Sequence, residues 1–209
     1  LSYLYSDSAA DTLLFKGGTS LRIIYKSPRF SEDLDFTATS PFYKTKALVE
    51  RASAKTRLEI AGLELVESKP TTGGYFGILR GLVGPWDVEL QIQASTRQKP
   101  LKGEVDVVDS PLTSGYNVFS LPENILVAEK VDALLTRAKP RDFYDLYFIL
   151  RKPMGDRKAI LVRRPGILAR LAKADKKHLY NEMKAFLPKS HWAIIQQLPD
   201  QLKKELGRF

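Results

Sequence analysis

The stretch that most constrains the fold runs from Leu13 to Phe36, LLFKGGTSLRIIYKSPRFSEDLDF. An apolar run enters a turn at Gly17-Gly18-Thr19-Ser20, a short amphipathic segment follows, and the stretch closes on Ser31-Glu32-Asp33-Leu34-Asp35-Phe36. A glycine turn of this kind exposes backbone N–H groups that can hold phosphate. Asp33 and Asp35 flank a leucine, so on a strand their side chains share one face while Leu34 and Phe36 take the other. Paired carboxylates at that spacing suit a hard cation such as Mg²⁺, which usually takes one or two carboxylates together with substrate phosphates. Lys16, Arg22, Arg29 and Ser31 crowd further phosphate-binding groups into the same segment. A glycine turn with an ordinary exposed aspartate pair is the plainer alternative, and this crowding argues against it.

With 209 residues the chain can bury a substantial core as one domain or two small ones. It starts at Leu1 rather than a methionine, and a natural N-terminus is expected to be missing. No apolar run approaches the ~20 residues of a membrane helix, and no signal-like start is visible. The absence of cysteine excludes disulfides, thiolate metal sites and a cysteine nucleophile, and fits a reducing cytoplasm. Lys and Arg exceed Asp and Glu by 33 to 24, a net charge of +9. A polyanionic partner is therefore expected, nucleic acid before membrane.

In chain order, residues 1–11 read as the tail of a helix and Leu13–Phe15 as a strand. Thr19 is expected to cap a helix over Ser20–Lys26 that Pro28 stops, and Phe30–Thr37 to form the strand carrying the aspartates. Pro41 opens a long helix to about Ala61, with Leu48, Ala52, Leu58 and Ile60 as core candidates and Gly62 as its end. Three β segments follow, at Leu63–Glu67, Tyr75–Val83 and Trp86–Gln93. In the last, Val88, Leu90 and Ile92 alternate with Asp87, Glu89 and Gln91, one face buried and one polar. Gly84-Pro85 suits a hairpin turn. Residues 95–121 are punctuated by Pro and Gly, with short strands expected at Glu104–Val108 and Tyr116–Phe119. From Pro122 the pattern turns helical: Pro122–Ala138, Pro140–Arg151, then 156–163, 165–173, 175–187 and 190–207. The expected architecture is α+β, a mixed sheet with helices over 1–121 and an all-α domain over 122–209.

The spacing from Gly18-Thr19 to Asp33-Leu34-Asp35-Phe36 resembles the signature of the polymerase-β-like nucleotidyltransferases, a glycine-serine turn on a helix followed by Asp-apolar-Asp-apolar. Threonine replaces the usual serine at position 19 and an extra glycine is present, both mild changes. The resemblance implies nucleoside-triphosphate phosphates on the turn, with Thr19 and Ser20, and Mg²⁺ on Asp33 and Asp35. It also implies a third carboxylate from a neighbouring strand. Glu89 is the choice, on the polar face of the alternating segment, although Asp87 shares that face.

Lys130 carries separate information. On a helix its i−4 and i+4 neighbours are Leu126 and Leu134, so its ammonium must snorkel or meet an anion. Asp142 and Asp145 lie on one face of the next helix. An acid in the first turn, as at Asp142, commonly just complements the helix dipole. Asp145 sits deeper among apolar residues and needs a partner, with Lys130 and Arg141 the natural ones.

Four blocks taken together, Lys16–Arg22, Arg29–Phe36, Glu129–Leu134 and Arg141–Leu146, resemble the AbiEii/AbiGii family of bacterial toxin nucleotidyltransferases, grouped with the MenT toxins. The similarity covers roughly residues 13–150. It implies that Asp33 and Asp35 bind Mg²⁺ and nucleotide, and that Lys130 and Asp145 complete the catalytic centre, Asp142 being the weaker match. It further implies an RNA acceptor, the 3′ end of tRNA, and a cognate antitoxin. Residues 151–177 hold ten basic side chains against Asp156 and Asp175. Of these, Arg151, Lys152, Arg157, Lys158, Arg163 and Arg164 are the expected RNA-binding residues. Two rivals share the fold: a nucleotidyltransferase that modifies a protein or small molecule, and a catalytically silent RNA-binding module.

Overall fold

The computed structural model describes residues 1–96, 101–111, 113–152 and 154–208. The residues group into two compact units: Leu1–Lys26 with Ser31–Pro122, and Ser27–Phe30 with Glu123–Phe209. The change near residue 121 thus falls where the composition turns helical, with one difference. Four residues from inside the glycine-aspartate stretch belong to the second unit.

The first unit opens with a short helix α1 (Ser2–Tyr5) and a 3₁₀ turn at Ala10–Thr12, in place of one helix tail. Strand β1 (Leu13–Lys16) passes directly into helix α2 (Gly17–Ile23). Then come β2 (Leu34–Ala38), α3 (Phe42–Glu59), β3 (Leu63–Thr71), β4 (Gly74–Val83), β5 (Trp86–Thr96), β6 (Glu104–Val108) and β7 (Tyr116–Ser120). The seven strands form one mixed sheet in the order β3-β4-β5-β2-β1-β7-β6. The pairs β2–β5 and β1–β7 are parallel, and the rest are antiparallel. All seven expected strand segments form. The Pro/Gly-punctuated stretch at 95–121 includes residues 97–100 and 112, which lie outside the described residues.

Period-two alternation decides which face of the sheet is buried. Phe15, Phe36, Tyr75 and Ala94 point to a core shared with Leu48 and Val49 of α3 and Leu4 of α1. Burying each large apolar side chain contributes about 1.5–3 kcal/mol relative to leaving it in water. α3 starts after Pro41, whose ring forbids only an N–H that would be unsatisfied there, and ends before Gly62, which holds φ +97°. Of its expected core residues, Leu58 instead is 87% exposed. At the far hairpin, Gly84-Pro85 connects Val83 to Trp86, their register partners, and Trp86 is 72% exposed.

α2 begins three residues earlier than expected and ends at Ile23. Its termination is set before Pro28 is reached: Lys26 adopts a left-handed φ of +63° and donates its ammonium to the Ile23 carbonyl at 2.9 Å.

The second unit consists of α4 (Glu123–Thr136), α5 (Pro140–Arg151), α6 (Arg157–Val162), α7 (Arg164–Ala172), α8 (Lys176–Met183), α9 (Trp192–Gln196) and α10 (Leu198–Leu206). α5 is its centre, buried at ten of its twelve positions. Leu126, Val131 and Leu134 of α4, Leu146 and Ile149 of α5, and Leu202 and Leu206 of α10 are all buried. The single helix expected over 190–207 is two helices preceded by a 3₁₀ turn, because Pro199 lacks an N–H and must sit in the first turn of a new helix. The segment Ser27–Phe30 is fixed to this unit by the Phe30 N–H, which donates to the Phe186 carbonyl at 2.8 Å.

Candidate active site

In the first unit, β1 delivers Lys16 and the chain turns at Gly17 with φ +83°. A Cβ at Gly17 would lie 2.2 Å from Asp35 Oδ2. The glycine is therefore required twice, by its backbone conformation and by the carboxylate packed on it. Asp35 sits on β2, register partner of Lys16. Asp33 is one residue before the strand begins, so only one aspartate is strand-borne. Its position is fixed from another side: Thr19 donates its hydroxyl to the Asp33 carbonyl at 2.5 Å. Ser20 donates its hydroxyl to the Gly17 carbonyl at 3.1 Å. Both hydroxyls, expected on phosphate, instead brace the turn and the aspartate segment. Gly18 is buried in α2, Arg22 is exposed on it, and Ser31 and Asp33 are half-buried.

The sheet does not bring Glu89 to Asp35. The residue of β5 in register with Asp35 is Gln93, and Glu89 lies four residues away along the strand, about 13 Å. Arg80 of β4 binds the Glu89 carboxylate and lowers its pKa. Asp87 is farther still, at the hairpin end. The third-carboxylate expectation is therefore corrected: the position beside Asp35 is a neutral carboxamide. No group of three or more His, Cys, Asp or Glu side chains suited to a metal exists among the described residues. Two half-buried aspartates nevertheless fit Mg²⁺, which retains waters and takes its remaining oxygens from phosphates.

In the second unit, Lys130 of α4 is 8% exposed and donates to Asp145 Oδ2 at 2.7 Å. Arg29, 4% exposed, grips the same carboxylate with two parallel bonds, Nε to Oδ1 at 2.7 Å and an Nη to Oδ2 at 3.1 Å. Its other Nη donates to the Phe30 carbonyl at 3.0 Å. Burial penalises the Asp145 charge, but the Lys130 and Arg29 cations outweigh it and hold the carboxyl below the ordinary aspartate range. Arg29, expected on phosphate, is thus committed to a carboxylate, and Arg141, expected as a partner of Asp145, is not in this network. Nothing local announces the Arg29–Asp145 pair, whose members are 116 residues apart. Asp142 has a structural part: it accepts from the Lys139 N–H at 2.9 Å at the start of α5 and pairs with Arg137 at 2.7 Å.

The basic segment is partly neutralised by acids from outside it. Arg151 pairs with Glu205 at 3.2 Å, Arg163 with Asp132 at 2.9 Å and Lys176 with Asp200 at 2.7 Å. Lys152 lies 5.9 Å from the Phe148 ring centroid. Lys158 is exposed, and Arg157 and Arg164 are half-buried.

Two solved structures share this architecture over 99% of the chain. JHP933 from Helicobacter pylori is 20% identical, with a TM-score of 0.63 and 87% of its own chain covered. MenT4, a nucleotidyltransferase toxin of Mycobacterium tuberculosis, is 20% identical, with a TM-score of 0.55 and 82% covered. The mixed seven-stranded sheet with C-terminal helices is thus an α+β fold similar to that of this nucleotidyltransferase toxin. No curated protein matches the chain. The model of the family described as nucleotidyl transferase AbiEii toxin, type IV toxin–antitoxin system, matches residues 2–208, and the chain belongs to that family.

Proposed function

We propose that the protein transfers a nucleoside monophosphate from an NTP to a hydroxyl of RNA, at the 3′ end of tRNA, and so blocks translation. The observation that carries this reading is Lys130, an ammonium held in an apolar stripe by a carboxylate that Arg29 already neutralises. Two cations on one aspartate leave a net positive charge that a polyphosphate can meet.

In this reading Asp33 and Asp35 hold Mg²⁺, which supplies charge neutralisation and a more acidic acceptor hydroxyl. Lys16 and the Gly17-Gly18 turn receive phosphates, with Arg22 and Arg141 as further cations. The acceptor hydroxyl gives up its proton to solvent, its oxygen forms a bond to the α-phosphorus, the α–β anhydride bond breaks, and pyrophosphate leaves. Lys130 neutralises phosphate charge. Asp145, with both oxygens occupied and its pKa lowered, orients Lys130 and is unsuited to removing a proton. Arg157, Lys158 and Arg164 meet the RNA backbone. Among the described residues no helix is long and apolar enough to cross a membrane, and the proposed site of action is the cytoplasm, where NTP, tRNA and a cognate antitoxin meet.

The test is incubation with each labelled NTP, Mg²⁺ and total tRNA. Label should enter tRNA with at least one NTP, and Asp33→Ala and Asp35→Ala should abolish it while melting like the wild type. Label entering protein instead, or wild-type turnover in either variant, overturns the assignment.

A further inference from the structure

Register partners across a sheet share a face, and one row of the first unit places an unusual series on the face opposite the core. Lys69 of β3 is opposite Phe76 of β4, Phe76 opposite Gln93 of β5, Gln93 opposite Asp35 of β2, and Asp35 opposite Lys16 of β1. A cavity of about 270 Å³ lies along this row, lined by Lys16, Asp35, Phe76 and Gln93 together with Ser95 and Thr71. Lys16 crosses it to donate to Ser95 at 3.0 Å.

We infer that this cavity is a nucleobase subsite, with Phe76 as its stacking surface and Gln93 as its selective group; the inference rests on the nucleotidyl-transfer reading above. With strands about 4.8 Å apart, Gln93 is about 5 Å and Phe76 about 10 Å from Asp35. A nucleoside whose sugar–phosphate end lies at Asp35 therefore brings its base to the carboxamide and the ring. Unpaired bases are held by stacking on aromatic side chains and by hydrogen bonds to their edges. A carboxamide offers both a donor and an acceptor to such an edge. The volume falls just below the roughly 300–1,000 Å³ of drug-sized sites, which suits one nucleoside. Lys69, ion-paired with Glu67, lies 5.5 Å from the Phe76 centroid. The base can come from the incoming NTP or from the RNA terminus, and both present the same chemistry.

Phe76→Leu and Gln93→Leu, each checked for wild-type melting, test the site. Equilibrium dialysis uses the four labelled NTPs and a short single-stranded oligoribonucleotide, and steady-state transfer is measured with each substrate varied. Phe76→Leu should weaken one of the two ligands about tenfold or more. Gln93→Leu should reduce discrimination among NTPs if the NTP base occupies the cavity, or among RNA 3′ bases if the terminus does. Unchanged affinity and selectivity in both variants, or no binding of either probe by the wild type, overturns the subsite. Absence of transfer by a wild-type protein that still binds bases through Phe76 overturns the transfer reading alone.

Discussion

Asp145 is the residue on which most depends in the second unit. Replacing it with Asn leaves Arg29 and Lys130 buried without an anion, a loss expected to cost about 3–5 kcal/mol. Lys130→Met leaves the two-bonded Arg29–Asp145 pair intact and should cost clearly less; denaturant unfolding of the two variants side by side checks the order. The same carboxylate sets an acid limit. Its folded pKa is lowered, so its contribution is present above the ordinary aspartate value near 4 and is lost as pH falls through the lower folded value. Asp145→Asn should therefore flatten the acid branch of the stability curve, and an unchanged slope would contradict the assignment. Lys130 and Asp145 were legible in the sequence because a charge in an apolar stripe demands a partner. Arg29 was legible only as a cation, since no periodicity links residues so far apart.

At the scale of the element, the passage from β1 into α2 depends on Gly17. Gly17→Ala introduces a left-handed strain of about 1–2 kcal/mol and drives a methyl against Asp35 Oδ2. A carboxylate displaced by about an ångström costs on the order of a hundredfold in rate. The variant should thus lose far more turnover than stability, measured as kcat beside thermal unfolding. Strand β5 could be read from its alternation and α5 from its opening proline. Register could not: Gln93 rather than Glu89 faces Asp35 because pairing between β2 and β5 is set by the packing of whole strands. The roles of Thr19 and Ser20 were equally hidden, since a hydroxyl suits a carbonyl as well as a phosphate.

For the whole molecule, the net charge of +9 overstates what RNA can meet, because Arg151, Arg163 and Lys176 already have carboxylate partners. RNA affinity should still fall with salt, and neutralising Lys158 or Arg164 should each reduce the logarithmic slope by about 0.7–0.9. Titrations at several salt concentrations decide it; an unaltered slope would remove the segment from the RNA-binding surface. The division into an α/β part and a helical part was legible from composition, whereas the transfer of Ser27–Phe30 to the second unit was not. That transfer has a consequence in time. Arg29 is synthesised 116 residues before Asp145, which at about 5–20 residues per second is a wait of roughly 6 to 23 s. During it, the nascent chain carries a guanidinium whose carboxylate does not yet exist. A ribosome stalled anywhere short of α5 therefore holds a chain whose Arg29 lacks its carboxylate, and no single cut can release the second unit whole.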